Sequence, residues 1–536
     1  MRIELVEKET KLVTEADSQN GVDAKTQREP QRLDALLAGT GATLNQAQSA
    51  ILIRNVACDS RKVRSQGLFF ALQGAKEDGA KFARDAVSRG GVVVASEAAA
   101  PALLPESIAW IQVPSARKAL ATAAANFYGH PANALQLAAV TGTNGKTTTT
   151  SLVDAIVKAS GAKTGLFGTI AYQTPLGDYP APNTTPESVD LQGFFAEIRD
   201  AGGKFAVLEA SSHSLMMDRL WGCHFQAAVF TNLTHEHMDF HKTFEEYFAA
   251  KRRLFEGTGA GPAEVAILNA DDEYGPRLAG LAKTSVSYGI ENSADISAKK
   301  FQLDFSGLTF MAHTPNGKLQ IVSSLVGRIN VYNILAAVGA SQALGLSNET
   351  IQTGIRNLAS VSGRFQQVAL GQPFLVIVDY AHTDDALQNL IRTARELNPK
   401  GRVITLFGCG GGKDRTKRPV MGEVAGRLSD LTILTNDNPR QEDPLKIISD
   451  VVVGLQKTNG KYLIEPDREK AISMAIDEAR EGDIVLLAGK GHEDYQVIGE
   501  TSLPWDDREQ ARKALRDRGY GEAPLAGASP GTGFGT

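Results

Sequence analysis

Cysteine is scarce. Three occur in 536 residues, Cys58, Cys223 and Cys409, and no two stand at metal-ligand spacing. That excludes a disulfide framework and a cysteine-built zinc site, and it fits a reducing compartment. No apolar run approaches the roughly 20 residues of a membrane span. The first 30 residues are charged and lack an apolar signal core, so the expectation is a cytoplasmic protein with no membrane partner. Basic charge is not in excess either: 56 Lys and Arg face 61 Asp and Glu, for a net charge of -5. That balance argues against wholesale nucleic-acid binding. No solenoid-length repeat is visible. What is present is ordinary for a globular protein, 42% hydrophobic and 22% charged residues. At roughly 150 residues per domain the length suggests three domains.

The chain is organised around Leu137-Ala138-Ala139-Val140-Thr141-Gly142-Thr143-Asn144-Gly145-Lys146-Thr147-Thr148. An apolar strand runs into a glycine-bracketed loop, and a helix is expected from about Thr147. This order suits a phosphate. Glycines let backbone N–H groups turn towards an anion, and the helix N-terminus adds partial positive charge. Lys146 can reach the terminal phosphates, and the Thr147 hydroxyl can sit on magnesium. The alternative is a tight strand-to-helix turn with a solvated lysine.

The expected class is α/β: three domains, with a central P-loop parallel-sheet ATPase domain and a Rossmann-like C-terminal domain. Residues 1–30 read as a flexible extension and residues 31–134 as a first α/β domain. Residues 135–365 form the central domain and residues 366–520 the third. The Gly-, Ala-, Pro- and Ser-rich residues 521–536 read as a disordered tail. Central strands are expected at Phe205-Ala206-Val207-Leu208-Glu209, Ala227-Ala228-Val229-Phe230-Thr231 and Val265-Ala266-Ile267-Leu268-Asn269. Glu209, Asn232 and Asn269 follow their carboxyl ends, where ligands collect in parallel sheets. Glu209 suits magnesium, a hard ion that prefers oxygen, although a helix-capping glutamate is the plainer alternative. His235, His237 and His241 crowd one short stretch. A zinc site there is conceivable but lacks a third fixed ligand. Spacing alone does not single out Lys251, in Tyr247-Phe248-Ala249-Ala250-Lys251-Arg252-Arg253; a solvated helix face is its default reading.

These residues resemble a family. Thr141-Gly142-Thr143-Asn144-Gly145-Lys146-Thr147, Glu209-Ala210-Ser211-Ser212-His213 and the His237 segment are similar to the ATP-dependent Mur ligases, amide-forming enzymes of peptidoglycan precursor synthesis. The likeness runs from about residue 33 to residue 520. It is strongest to the branch that adds meso-diaminopimelate to UDP-N-acetylmuramoyl-L-alanyl-D-glutamate. Asp59-Ser60-Arg61 and Gly74-Ala75-Lys76-Glu77 resemble that branch's uridine-nucleotide site, and Asn183-Thr184-Thr185-Pro186 its muramoyl-dipeptide loop. Asp379-Tyr380-Ala381-His382-Thr383 resembles its third-domain entry strand, and Asp437-Asn438-Pro439-Arg440 its amino-acid selection motif. Gly489-Lys490-Gly491-His492-Glu493 resembles the loop that grips the incoming amino acid.

The resemblance implies a set of roles. Lys146, Lys251, Glu209 and His237 are the catalytic group. Gly142, Thr143, Asn144, Gly145, Lys146, Thr147, Thr148, Asn330, Arg364 and Asp379 meet ATP, Asn330 reading adenine. Cys58, Ser60, Asn183, Thr184, Thr185, Ser211, Met217 and Arg219 hold the UDP-linked substrate. Lys413, Asp437, Asn438, Pro439, Arg440, Gly489 and Glu493 hold diaminopimelate. Mg2+ is the implied cofactor, on Thr147, Glu209, His237 and Lys251, with Lys251 carboxylated on its amine. ATP is a co-substrate, no nucleic acid is expected, and the protein is expected to be a monomer. Four residues depart from the pattern: Met217, Glu236, Asp384 and Lys413 replace a more usual glutamine, aspartate, proline and arginine.

The choice of amino acid has a physical reading too. The loops at residues 408–413, 437–440 and 489–493 follow strands and should converge on one rim. Arg440 is a planar fork suited to a carboxylate, and Glu493 offers a counter-charge for an ammonium. meso-Diaminopimelate carries both at its distal centre. Lysine would leave Arg440 unpaired, at roughly 1–3 kcal/mol. A structural salt bridge at Arg440 is the alternative. The rival functions are lysine addition by a ligase of the same family, folylpolyglutamate synthesis, and a nucleotide-binding protein that has lost ligation.

Overall fold

The computed structural model describes residues 29–74, 77–101, 105, 108–234, 236, 238 and 240–521. Most of the expected N-terminal extension and tail, together with Ala75, Lys76, His235 and His237, lies outside them. The chain divides into two compact units.

One unit comprises Met1–Ala139, Ala162–Gln226 and Arg253–Glu264. Its four-stranded sheet, Asn55–Ala57, Gly67–Ala71, Gly91–Ser96 and Ala109–Gln112, is parallel throughout. Alternate residues serve opposite faces: Leu68 and Phe70 enter one apolar cluster, Phe69 and Ala71 another. Both faces are therefore covered, as a parallel sheet requires. The alanine-rich helix Ala116–Tyr128 closes one face and ends at Gly129, whose φ is 70°. In the same unit Phe205–Glu209 runs parallel to Thr164–Phe167. The hairpin Tyr172–Thr174 and Gly177–Tyr179 adds to it antiparallel.

The second unit comprises Val140–Gly161, Ala227–Arg252 and Val265–Thr536. Ala227–Phe230, Val265–Asn269, Thr284–Gly289 and Ile296–Asp304 pair parallel in that order. Gly307–Thr314 and Gly317–Ser323 then continue antiparallel. The expected parallel sheet is thus present, with an antiparallel hairpin added at its edge. The hairpin signal was present, because Pro315-Asn316 followed by Gly317 is turn-forming sequence between alternating strands. The buried helix Arg328–Ala343 packs on this sheet: a Cβ on its Gly339 would stand 2.9 Å from Ile267.

A further sheet of this unit, within the residues expected as the third domain, has the order Gln366–Gln367, Leu375–Asp379, Ile484–Ala488, Val403–Phe407, Leu431–Leu434, Tyr462–Ile464. All pairs after the first are parallel. Helices Asp384–Leu397, Lys417–Leu428 and Pro444–Leu455 share one face's core, and Arg468–Glu478 and Asp507–Asp517 the other's. This is the doubly wound arrangement expected, and its strand ends at Phe407, Leu434 and Ala488 form one rim. Among the described residues no helix is long and apolar enough to cross a membrane.

Candidate active site

The phosphate loop is built by backbone and braced by neighbours. Strand Gln136–Thr141 ends at Gly142, with φ 147°, and Gly145 follows with φ 87°. A Cβ on Gly142 would lie 1.8 Å from Thr231 Oγ1, and one on Gly145 2.5 Å from Asn333 Oδ1. Only glycine fits both places. Helix Lys146–Ala159 starts at once, with no side chain capping its first turn, an arrangement that suits an anion. Asn232 was expected among ligands at a strand end. Instead its Oδ1 accepts from Asn144 N at 2.9 Å, and its carbonyl accepts from Thr143 N at 2.9 Å. Asn269 donates to Thr231 O at 2.7 Å. Both asparagines hold the loop in shape.

Two lysines converge on one loop carbonyl. Lys146 Nζ donates to Gly142 O at 2.9 Å and Thr143 O at 2.8 Å. Lys251 Nζ donates to Gly142 O at 2.8 Å. Lys251 is 1% exposed, so the solvated-face reading is corrected. It lies on helix Phe244–Glu256 one turn beyond Tyr247, whose ring centroid is 4.3 Å from its amine. Tyr247 OH in turn lies 3.2 Å from Thr143 Oγ1. Burial, and then the charge of Lys146, hold the Lys251 amine well below its ordinary 10.5, while Glu236 pulls the other way. His237 lies outside the described residues.

Other nucleotide candidates have structural partners. Thr147 and Thr148 are buried, and Thr147 Oγ1 accepts from Arg364 Nη2 at 3.1 Å. The Arg364 guanidinium lies 4.8 Å over the Tyr380 ring. Asn330 donates to Val326 O at 2.7 Å and accepts from Asn333 at 2.9 Å. Reading a base there would use its second N–H and remaining lone pair. Asp379 accepts from Phe365 N at 2.7 Å and Ala381 N at 2.8 Å; burial raises its pKa against the pull of Arg364. Sequence reasoning missed Asp385, which accepts from Asn144 Nδ2 at 2.8 Å and ties helix Asp384–Leu397 to the phosphate loop.

In the other unit Glu209 is fully buried. It accepts from Thr169 N at 2.9 Å and Thr169 Oγ1 at 3.2 Å. Around it the structure gathers several substrate candidates. Thr184 Oγ1 accepts from Thr169 Oγ1 at 3.3 Å. Thr185 donates to Glu209 O at 2.6 Å and lies 3.4 Å from Ser211 Oγ. Arg219 donates to Thr185 O at 2.9 Å, with Met217 Sδ 3.9 Å away and Glu187 facing it at 3.2 Å. The Asn183 carbonyl accepts from Tyr172 OH. Ser60 is buried in the short turn Ser60–Lys62, and Lys62 reaches Asp190 at 2.9 Å. Cys58 is half-buried, and desolvation pushes its thiol up. Asp59 and Arg61 pair with each other at 2.7 Å.

The third-domain loops converge as expected. Gly411 N donates to Asn438 O at 2.9 Å, and Arg440 Nη1 donates to Gly411 O at 2.9 Å and Asn438 O at 3.4 Å. Among the described residues no carboxylate pairs with Arg440, so the structural salt bridge is not formed. Arg440 itself is held at φ 53°. Pro439 is buried, Lys413 is exposed, and Gly489 N donates to Asp379 O at 3.0 Å. Glu493, expected as a counter-charge for an ammonium, has partners within the protein. Lys490 Nζ lies 3.0 Å from it, and Asn438 Nδ2 donates to it at 2.9 Å. Lys490, to which sequence reasoning assigned no role, is fully buried. Two further arginines were missed. Arg418, fully buried, donates to Gly410 O at 3.2 Å and pairs with Glu442 and Asp450, each at 2.9 Å. Arg468 pairs with buried Asp507 and donates to Asn436 O at 3.0 Å and Ala488 O at 3.1 Å. It thereby pins the bases of both amino-acid loops.

Three family models match in chain order. "Mur ligase family, catalytic domain" covers residues 52–128, "Mur ligase middle domain" 140–341 and "Mur ligase, glutamate ligase domain" 363–491. A curated protein of Solibacter usitatus (strain Ellin6076) is 51% identical over 87% of this chain and 94% of its own. It is named UDP-N-acetylmuramoyl-L-alanyl-D-glutamate--2,6-diaminopimelate ligase. The chain belongs to the Mur ligase family. A solved structure carrying that same ligase name superposes with TM-score 0.64 at 31% identity, covering 91% of this chain and 99% of that one. The MurF ligase of Thermotoga maritima, solved in complex with ADP, shares the fold at 17% identity, with TM-score 0.59 over 87% of this chain and 98% of its own. As a Mur ligase, the chain carries its phosphate loop within the segment matched by the middle-domain model.

Proposed function

We propose that this Mur ligase adds meso-diaminopimelate to the glutamate of UDP-N-acetylmuramoyl-L-alanyl-D-glutamate, with ATP cleaved to ADP and phosphate. The domains are residues 31–134 for the UDP-linked substrate, 135–365 for ATP and 366–520 for the amino acid. The observation that carries the choice of amino acid is Arg440. Its guanidinium is oriented by the carbonyls of Gly411 and Asn438 and has no carboxylate of the described chain as partner. A distal carboxylate on the substrate completes it.

The chemistry follows from the residues. The glycine loop and the start of helix Lys146–Ala159 bind the triphosphate, and Lys146 leaves the loop carbonyls for the terminal phosphate. The glutamate side-chain carboxylate attacks that phosphorus, forming an acyl phosphate and releasing ADP. The amine of diaminopimelate attacks the acyl carbon, and the tetrahedral intermediate expels phosphate to leave the amide. Positioning and charge stabilisation supply most of the rate, because the phosphate activates the acyl group chemically. Thr147 and Glu209 are hard oxygen donors suited to Mg2+, which when bound screens the phosphate charge. Lys251, whose amine is held towards its neutral form, is chemically competent to take up carbon dioxide and become a carbamate, a further oxygen donor. The reaction consumes ATP and a UDP-linked sugar, which sets it in the cytoplasm.

Phosphate release from ATP in the presence of the muramoyl dipeptide tests the reading, with diaminopimelate or lysine supplied. Release with diaminopimelate alone is expected. Release with lysine alone would overturn the amino-acid choice, and release with neither would leave a nucleotide-binding protein.

A further inference from the structure

Lys490 is 0% exposed, in the loop after strand Ile484–Ala488. Its Nζ lies 3.0 Å from Glu493 Oε2, 3.1 Å from Asn438 Oδ1 and 3.5 Å from Asp437 Oδ1. Asn438 is tied on both sides: its Oδ1 also accepts from Val497 N at 2.9 Å, and its Nδ2 donates to Glu493 at 2.9 Å. The Tyr495 ring centroid stands 5.6 Å from the lysine Nζ. A buried ammonium is costly unless paired, and here it bridges the two loops nominated for the amino acid. Nearby cations are otherwise engaged. Arg468 pairs with Asp507, and Arg418 pairs with Glu442 and Asp450. Two carboxylates, Asp437 and Glu493, therefore share one buried cation, Lys490, while Arg440 of the same loop is held by the carbonyls of Gly411 and Asn438.

We propose that Lys490 is a specificity-determining residue whose charge offsets one rim carboxylate, so that the pocket matches a zwitterionic distal end and not a lone ammonium. This rests on the reading that the rim receives the distal end of a diamino acid. Without Lys490 the carboxylates outnumber Arg440. The distal ammonium, common to diaminopimelate and lysine, gains from that excess. The distal carboxylate, which diaminopimelate alone carries, is repelled by it. The ratio of the two substrates thus isolates the effect of this charge.

The test compares kcat/KM for diaminopimelate and for L-lysine in the wild type and in Lys490→Met, with ATP and the muramoyl dipeptide present. The diaminopimelate-to-lysine ratio should fall at least about tenfold, with KM for ATP little changed. A lysine that only supports the loop would lower both substrates together, and an unmoved ratio overturns the proposal. Wild-type protein that does not use diaminopimelate overturns the functional reading instead. Glu493→Gln approaches from the other side. It makes the rim more positive and should raise the ratio, and the double variant should return it towards the wild-type value. If Lys490→Met does not fold, as read by its thermal melt, an unchanged or lowered ratio in Glu493→Gln overturns the proposal alone.

Discussion

Two lysines in the same compact unit are equally hidden from water and have opposite surroundings. Lys251 meets a backbone carbonyl, a tyrosine ring and the charge of Lys146, against which the pull of Glu236 is the smaller effect. Lys490 meets two carboxylates and an amide oxygen. Burial alone does not say what a lysine does; the sign of what surrounds it does. Repulsion and desolvation prepare Lys251 to give up its proton, which is the condition for chemistry at its nitrogen. Opposite charges make Lys490 a fixed counter-ion, which is a condition for selectivity. One lysine belongs to a site built to change charge, the other to a site built to keep it.

The largest test of this contrast is Lys251→Ala. Activity should fall roughly a thousandfold, with partial recovery in a short carboxylic acid that replaces the carbamate oxygens. Full activity in the variant would remove the carbamate and dissolve the contrast. Stability should separate the two next. Lys490→Met leaves Asp437 and Glu493 facing each other and should cost about 3 kcal/mol, read as a lower denaturant midpoint. Lys251→Met removes a buried amine whose desolvation and repulsion by Lys146 outweigh the pull of Glu236, so in magnesium-free protein its midpoint should hold or rise. Equal losses in both variants would break the comparison.

A smaller effect concerns the other rim cation. Arg440→Ala should raise KM for diaminopimelate about tenfold to a hundredfold while sparing ATP. An equal loss of both would make Arg440 a structural arginine. The smallest effect is in pH. The folded-state pKa of Lys251 is lowered from 10.5. Between that lowered value and 10.5 the unfolded chain holds a proton that the folded chain has released, so stability rises with pH across this window. Magnesium- and carbonate-free protein should therefore gain more Tm between about pH 7 and pH 9 than Lys251→Met does. Identical slopes would mean that the amine stays charged in the fold.

Much of the fold was legible. Apolar runs bounded by glycines and polar residues mark strands such as Val265–Asn269 and Val403–Phe407, because parallel strands buried on both faces leave that pattern. The antiparallel extension from Ile296 to Ser323 was missed. Its strands alternate burial, and their turn signal was outweighed by the parallel pattern around it. At the candidate site the phosphate loop was readable because it is local: strand, glycines, lysine and helix are contiguous. Asp385, Arg418 and Arg468 were not, because their partners lie elsewhere in the sequence: the Asn144 side chain for Asp385, Glu442 and Asp450 for Arg418, and Asn436 and Asp507 for Arg468.

By itself the sequence determined the phosphate loop, the strand-and-helix alternation and the chemical types on the amino-acid rim, since each is written in neighbouring residues. Tertiary structure alone decided which charges are buried and what faces them. It turned Lys251 from a solvated helix residue into a hidden amine, and it set Lys490 against Glu493. Electrostatic character depends on distance and on exclusion of water, and neither is a property of the residues one by one.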